Sequence, residues 1–248
     1  MRKVYQIAYF CLIWQVLCST VVRAQVAEFL WTQKSTSTSG LGNKEQGWAV
    51  NYDSSGNTYV VGTFENSMVF GNTILSTSRH SAIFLAKYDV SGTLQWSEKI
   101  ESGATNYGLD IAVDKSGNVY VTGNFQSTAT FGELSLSSRI GQNIFIAKFD
   151  THGNAQWAKQ AGTMSGNIGY GHTGRGITVD DSGNAYVTGV FNTAVTFGSI
   201  TLTSVGDGDV FIAKYDPSGE LGWVRQAGGA DGDAGESIAI DKLGNVYV

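Results

Sequence analysis

The chain has little cysteine, and both cysteines lie near its amino end. Cys11 and Cys18 fall within the first 24 of 248 residues. In this stretch Arg2 and Lys3 precede an apolar run and the small residues of "VVRAQ", a pattern typical of a secretory signal peptide. The run is shorter than the roughly 20 apolar residues of a membrane-spanning helix. We therefore expect residues 1–24 to be removed after export, which leaves a mature chain with no membrane span and no disulfide.

Common catalytic motifs are missing as well. The sequence contains no Gly-x-Ser-x-Gly elbow and no phosphate-binding loop, and the expected mature chain has no cysteine nucleophile. The three histidines, His80, His152 and His172, fall at unrelated points of the chain, so they predict no shared zinc site. The sequence therefore favours a protein that is not an enzyme.

Charge is scarce, and positive charge is scarcer than negative charge. Charged residues make up 15% of the chain, against about 25% in average usage. Lys and Arg number 16 and Asp and Glu number 21, which gives a formal net charge of −5. Proteins that bind nucleic acid neutralise phosphates with clustered Lys and Arg, and this chain has no such cluster. We do not expect nucleic acid as a partner.

Proline occurs once, whereas glycine occurs 32 times. Many of the glycines end a tetrad Asp-x-x-Gly, in which Asp caps a turn and Gly takes the left-handed conformation. Pro217 occupies the second place of one tetrad, where a type I turn favours a φ near −65°. The seven tetrads are Asp53–Gly56, Asp89–Gly92, Asp114–Gly117, Asp150–Gly153, Asp180–Gly183, Asp216–Gly219 and Asp241–Gly244.

The tetrads recur with a long period. Alternate tetrads are separated by 61 or 66 residues, and Trp31, Trp96, Trp157 and Trp223 follow the same spacing. A fixed period of this length predicts a repeat architecture. We expect Trp96, Trp157 and Trp223 to seal each repeat against its neighbour.

Segments of alternating polarity flank the tetrads, as in antiparallel hairpins. In the second repeat they are "LDIAVD" (strand a), "NVYVTGNF" (b), "NIFIAKFD" (c) and "NAQWAKQA" (d). Four antiparallel strands per repeat, arranged radially, form the blade of a β-propeller. We predict an all-β partial propeller of about three and a half blades. It comprises a lone strand d at 29–34, blades at about 47–99, 108–160 and 174–226, and a partial blade at 235–248.

Three segments of the second repeat carry a family resemblance. "AVDKSGNVYVTGNF", "TATFGELSLSS" and "NIFIAKFDTHGNAQW" together resemble the bacterial β-propeller repeat known as the SBBP repeat. The resemblance spans residues 29–248. It implies a propeller fold and does not by itself imply an activity.

A lysine recurs once per repeat on strand c. Lys87, Lys148 and Lys214 suggest either an anion channel or a structural pairing with a strand-end carboxylate in each blade. We favour the structural interpretation.

Acidic residues depart from the repeat in two loops. Asp207 and Asp209 lie in the b–c loop of the third blade, and Asp231, Asp233 and Glu236 lie in the following d–a loop. In a propeller these loops emerge on the same face. Five carboxylates there make a candidate calcium site, since Ca²⁺ prefers oxygen ligands. A solvated acidic rim is the alternative, and no other cofactor is expected.

The d–a loops absorb the length variation between repeats, and variable loops on a fixed scaffold often carry recognition. We predict that "STSTSGLGNKEQ" and "GTMSGNIGYGHT", together with the acidic loops, line a ligand face. Tyr170, His172, Asp207 and Asp209 are the expected contact residues. The opposite face, made of the tetrad turns, is expected to be inert.

These patterns predict a secreted, non-enzymatic binding or scaffold module for a protein or glycan at the bacterial cell surface, with the periplasm as another destination. One alternative is a hydrolase or lyase whose catalytic residues lie in blades outside this chain. Another is a purely structural spacer. Open blade edges would also promote self-association.

Overall fold

In the computed structural model, the described residues are 44–78, 81–102, 107–162 and 171–248. The predicted signal segment 1–24 and the predicted lone strand 29–34 lie outside them. All the secondary-structure elements assigned within these ranges are β-strands. The same ranges hold no helix long and apolar enough to cross a membrane.

The strands form antiparallel groups of four, one per repeat. The first blade consists of strands β1 (Glu45–Tyr52), β2 (Thr58–Phe64), β5 (Ala82–Tyr88) and β6 (Leu94–Ser102). The second consists of β7 (Tyr107–Val113), β8 (Val119–Phe131), β9 (Leu134–Phe149) and β10 (Ala155–Gly162). The third consists of β11 (Thr173–Val179), β12 (Ala185–Phe191), β15 (Asp209–Tyr215) and β16 (Leu221–Ala227). A fourth repeat contributes β17 (Ala239–Ile240) and β18 (Val246–Tyr247). The predicted four-stranded antiparallel blades are confirmed.

The tetrads form the predicted turns. All seven tetrad glycines have positive φ, for example +80° at Gly117 and at Gly183. In each turn the glycine N–H donates to the carbonyl of the tetrad aspartate, at 2.9 Å for Gly117 and Asp114. Glycine suits these places because the left-handed region is costly for residues with a Cβ.

The b–c connection is a hairpin, although the sequence analysis treated it as a loop. It forms β3 (Ser67–Phe70) with β4 (Thr73–Ser76) in the first repeat, and β13 (Ala194–Phe197) with β14 (Ile200–Thr203) in the third. In the second repeat β8 and β9 run on to form it. The hairpin forms because its phenylalanine is buried and the next residue is a glycine with φ near +57°.

The hairpins join consecutive blades. The end of β6 pairs with β8, with Ile100 opposite Phe131, and the end of β10 pairs with β13, with Ala161 opposite Phe197. The hairpins of the second and third repeats therefore extend the hydrogen-bonded sheet of the preceding blade.

The hydrophobic core lies between blades. One cluster joins Tyr59, Val61 and Ile83 of the first blade to residues of the second, such as Phe145. A second cluster joins Tyr120, Ile144 and Ile146 of the second blade to residues of the third. The blades are thus held together by buried apolar side chains that sit between neighbouring sheets.

Candidate functional site

The seven Asp-x-x-Gly turns share one edge of the blades, which we call the turn face. At Asp114, Oδ1 accepts the backbone N–H of Ser116 at 2.8 Å and that of Asn118 at 2.9 Å. Oδ2 accepts the Asn118 side-chain amide at 2.8 Å and the Tyr120 hydroxyl at 3.3 Å. The same set of four bonds recurs at Asp53, Asp180 and Asp241. These carboxylates therefore act within the turns, where the sequence places them as capping residues.

The tryptophans of strand d connect one blade to the next. Trp96 Nε1 donates to the carbonyl of Thr151 at 2.9 Å, and Trp157 Nε1 donates to the carbonyl of Pro217 at 3.0 Å. Both acceptors occupy the second place of a tetrad in the following blade. Trp223 packs edge-on against Tyr186 in its own blade, at 6.2 Å between ring centroids. The predicted sealing of blades is confirmed for Trp96 and Trp157.

The strand-c lysines lie over tyrosine rings. Lys87 lies 5.2 Å from the Tyr59 ring centroid, Lys148 lies 5.1 Å from that of Tyr120, and Lys214 repeats the arrangement over Tyr186. Lys148 also donates to the carbonyl of Pro217 at 3.2 Å. The structural interpretation of these lysines holds, but their partner is an aromatic ring. The predicted pairing with a carboxylate is wrong.

The opposite edge carries the hairpins and the described d–a loop, residues 228–238, and we call it the hairpin face. Here the two acidic loops meet. Gly208 and Gly232 form a β-bridge, and the Asp233 N–H donates to the Gly208 carbonyl at 2.8 Å. The expectation that these loops emerge together is confirmed.

Three of the five acidic residues in these loops have structural partners. Asp209 is fully buried, and its Oδ2 accepts the Val205 N–H and the Gln226 amide, both at 3.3 Å. Asp233 accepts the Gly229 N–H at 2.8 Å, and Glu236 pairs with Arg175. Asp207 and Asp231 are exposed.

Calcium binding by these loops stays a prediction. Within the ranges that the structure describes, no group of three or more His, Cys, Asp or Glu residues is arranged to hold a metal ion.

The other predicted contact residues differ in their placement. Tyr170 lies outside the described residues. His172 is 5% exposed, and burial lowers its pKa to about 4, so the imidazole is neutral at pH 7. Because His172 and Asp209 are both buried, the exposed members of the predicted set are Asp207, Asp231, Asp233 and Glu236.

A cavity of about 390 Å³ opens on the hairpin face between the second and third blades. The described residues of its lining are mostly polar, and one of them is charged: Ser137, Arg139, Asn143, Gln160, Gly162, Thr196 and Gly198. Asn143 is 3% exposed, and its Oδ1 has no hydrogen-bond partner. The sequence did not predict this site, because the short hairpins that form its walls have little periodicity of their own. The visible signal was the change of residue type at position 143 between repeats.

Comparison with known proteins agrees with the architecture. A β-propeller repeat model, SBBP, matches residues 95–124, 156–190 and 222–248. Each match begins in or beside a strand d and ends in the strand b of the next repeat.

A similar protein is the uncharacterized WD repeat-containing protein L264 of Acanthamoeba polyphaga mimivirus. It is 29% identical over 240 residues, which cover 82% of this chain and 17% of the viral protein. The chain therefore spans less than a fifth of that relative's length. Taken with the four-stranded blades, these matches show that the chain contains β-propeller repeats similar to the SBBP repeat.

Proposed function

We propose that the chain is a non-enzymatic binding or scaffold module that contacts a protein or glycan through its hairpin face. The observation that carries this proposal is the cavity beside Asn143, where a buried amide oxygen lacks a partner. Buried polar groups in native structures are nearly always paired, so an unpaired one beside a cavity favours a bound ligand.

The turn face supports the proposal by contrast. Its aspartates accept bonds from neighbouring backbone and side-chain groups in every described repeat, as at Asp53, Asp114 and Asp180. The turns also repeat nearly the same sequence. The hairpin face instead carries the residues that differ between repeats, including the exposed Asp207 and Asp231.

Action outside the cell is part of the proposal and rests on the signal-like pattern of residues 1–24. The observation that checks it is an exported protein whose amino terminus is Gln25. An exported protein that retains Met1 would contradict cleavage.

A comparison of the two faces tests the proposal. Partners would be sought on a glycan array and among purified extracellular proteins, with and without calcium. The hairpin-face variants are Arg139→Ala and the double variant Asp207→Ala/Asp231→Ala, all at exposed positions. Lys115→Ala on the turn face is the matched control, because its side chain is 70% exposed and pairs only with the exposed Asp181.

Binding should weaken at least about tenfold in one or both hairpin-face variants, a change of about 1.4 kcal/mol, and stay unchanged in the control. Binding that is lost in Lys115→Ala and kept in the others would overturn the assignment of faces. A folded protein that binds nothing on either panel would favour the spacer. A calcium requirement that disappears with the Asp207/Asp231 double variant would support the calcium prediction.

A further inference from the structure

One position at which the three complete repeats differ on the hairpin face is the start of strand c. The residue twelve places after the hairpin phenylalanine is Ala82 in the first repeat, Asn143 in the second and Asp209 in the third. The residue facing it on strand d changes in step: it is Glu101 in the first repeat and glycine in the others. Each repeat thus fills the same space differently.

In the first repeat a carboxylate fills this space from strand d. Glu101 Oε1 accepts the Thr77 hydroxyl at 3.1 Å and lies 3.4 Å from Lys99 Nζ. Lys99 also donates to the Ser76 carbonyl at 2.6 Å. Burial raises the pKa of Glu101, but the hydrogen bonds and the lysine outweigh it and lower the pKa overall, so the group is ionised.

In the third repeat a carboxylate fills the space from strand c. Asp209 Oδ2 accepts the Val205 N–H and the side-chain amide of Gln226. Gln226 occupies the position of Lys99 and likewise bonds to a hairpin carbonyl, that of Thr203 at 3.1 Å. The facing residue is Gly228, whose Cα lies so close that an added Cβ would stand 2.5 Å from Asp209 Cγ.

The second repeat has no carboxylate at this position but keeps the amide donor on strand d. Gln160 takes the place of Lys99 and Gln226, and it donates to the Ser137 carbonyl at 3.2 Å. Arg139 takes the place of Val205 and is exposed. Asn143 supplies a neutral amide against Gly162, and here the cavity opens. In both flanking repeats, a carboxylate of the chain itself occupies this position.

We propose that this cavity binds the carboxylate of an external ligand, specifically a hexuronic acid residue of an acidic glycan. Arg139 and Gln160 donate to the ligand carboxylate, because a guanidinium matches a carboxylate in charge and geometry. The unpaired Asn143 Oδ1 accepts a sugar hydroxyl, and the Ser137 and Thr196 hydroxyls lie in the same lining. The volume of about 390 Å³ falls within the range of small-molecule sites.

The amide and hydroxyl lining favours a sugar over a peptide side chain, since it offers several polar partners to a ring that carries several hydroxyls. This inference rests on the proposed function and names the ligand class for the same face.

The test titrates the full chain with D-glucuronate as the probe and detects binding by nuclear magnetic resonance. D-glucose carries the hydroxyls without the carboxylate, and N-acetylglutamate carries carboxylates without the sugar ring. Glucuronate should bind with a Kd on the order of 1 mM, as expected of a ligand of this size, and at least about tenfold more tightly than either comparison compound.

The matched variant is Asn143→Asp, which copies the Asp209–Gly228 pair of the third repeat into the second. It should fold and lose glucuronate binding by at least about tenfold, because the cavity then holds its own carboxylate. Arg139→Ala, at an exposed site, should weaken glucuronate binding to a similar degree. Lys115→Ala should leave it unchanged.

Equal binding of glucose and glucuronate would overturn the carboxylate assignment, and equal binding of N-acetylglutamate would overturn the sugar assignment. Undiminished glucuronate binding by folded Asn143→Asp or by Arg139→Ala would show that the ligand does not bind in this cavity. If glucuronate fails to bind while the hairpin-face variants still weaken a partner, only this inference is lost. If neither experiment shows binding, the proposed function fails as well.

Discussion

The aspartate that opens each a–b tetrad, such as Asp180, has three local roles. At Asp180 one oxygen caps the turn by accepting the N–H groups of Ser182 and Asn184, each at 2.9 Å. The other oxygen accepts the Asn184 amide at 2.7 Å and the Tyr186 hydroxyl at 3.1 Å. The side chain therefore closes the turn, holds Asn184 just before strand β12 and anchors a tyrosine that packs against Trp223.

These bonds make the stability of the turns depend on pH. Burial is the largest single influence on Asp180 and raises its pKa, but the hydrogen bonds from Asn184, Ser182 and Tyr186 together lower it below 3.8. A folded-state pKa below the unfolded value gives stability that is present at neutral pH and is lost as pH falls through the folded pKa. Acid should therefore loosen the turns.

The variant Asp180→Asn should be less stable than the parent by about 1 kcal/mol at pH 7. The difference should shrink as pH falls through the folded-state pKa of Asp180, because the parent carboxylate is then neutral as well. Urea midpoints followed by circular dichroism at pH 7 and at a series of lower pH values measure it. Asp181→Asn is the control, because that neighbouring side chain is 78% exposed; a difference that stays constant with pH would refute the explanation.

At the scale of the strand, the tryptophan of strand d links one blade to the next. Trp157 is 9% exposed, lies 6.0 Å from the Tyr120 ring and 6.5 Å from the Tyr215 ring, and bonds to the Pro217 carbonyl. It thus touches its own blade and the next one. Loss of the Trp157 side chain should destabilise the contact between the second and third blades more than it destabilises either blade by itself.

Truncation of Trp157 to Ala should cost about 3 to 5 kcal/mol, mainly through lost packing. Trp157→Phe keeps most of the ring and should cost about 1 to 2 kcal/mol, part of it from the lost bond to Pro217. Urea unfolding followed by circular dichroism gives both values. Trp48→Ala is the comparison, since Trp48 is 38% exposed; equal losses at the two sites would argue against the junction role.

Strands that alternate over seven or more residues were predictable from the sequence, as were the turns between them. Asp114 and Gly117 carry a turn whose chemistry is entirely local, so four residues suffice to identify it. The hairpins were not predicted, because β13 and β14 have four residues each and strand periodicity is weak over such lengths. The cavity at Asn143 depends on which hairpin covers which strand, and that pairing joins residues one repeat apart.

Over the whole molecule, the sheets of the first two blades are continuous. Hydrogen-bonded neighbours run from β1 through β6 and β8 to β10, and then into β13 and β14 of the third repeat. In repeat proteins, stability is approximately the sum of the repeats and of the interfaces between neighbours. The hairpins form part of each interface, so they should control how cooperatively the blades unfold.

Replacing residues 194–203 by a short Gly-Ser linker should separate the unfolding of the third blade from that of the first two. The parent should unfold in one transition and the variant in two, because the bonds from β13 to β10 and the buried Phe197 are lost. Urea denaturation and native-state hydrogen exchange detect the difference. The matched control replaces residues 67–76, since β3 and β4 pair only with each other in the described part of the chain; a single transition in both variants would contradict the coupling.

Because the hairpins pair with the preceding blade, the order of synthesis decides when the edge of a blade is covered. β8 pairs with the end of β6, and β13 pairs with the end of β10, so the first and second blades are each completed by sequence that follows them. A ribosome releases the amino-terminal repeats first. During synthesis, the strand-d edge of a new blade therefore stays uncovered until part of the next repeat has been made. A pause in translation within a repeat would leave the most recently made blade open to pairing with another nascent chain.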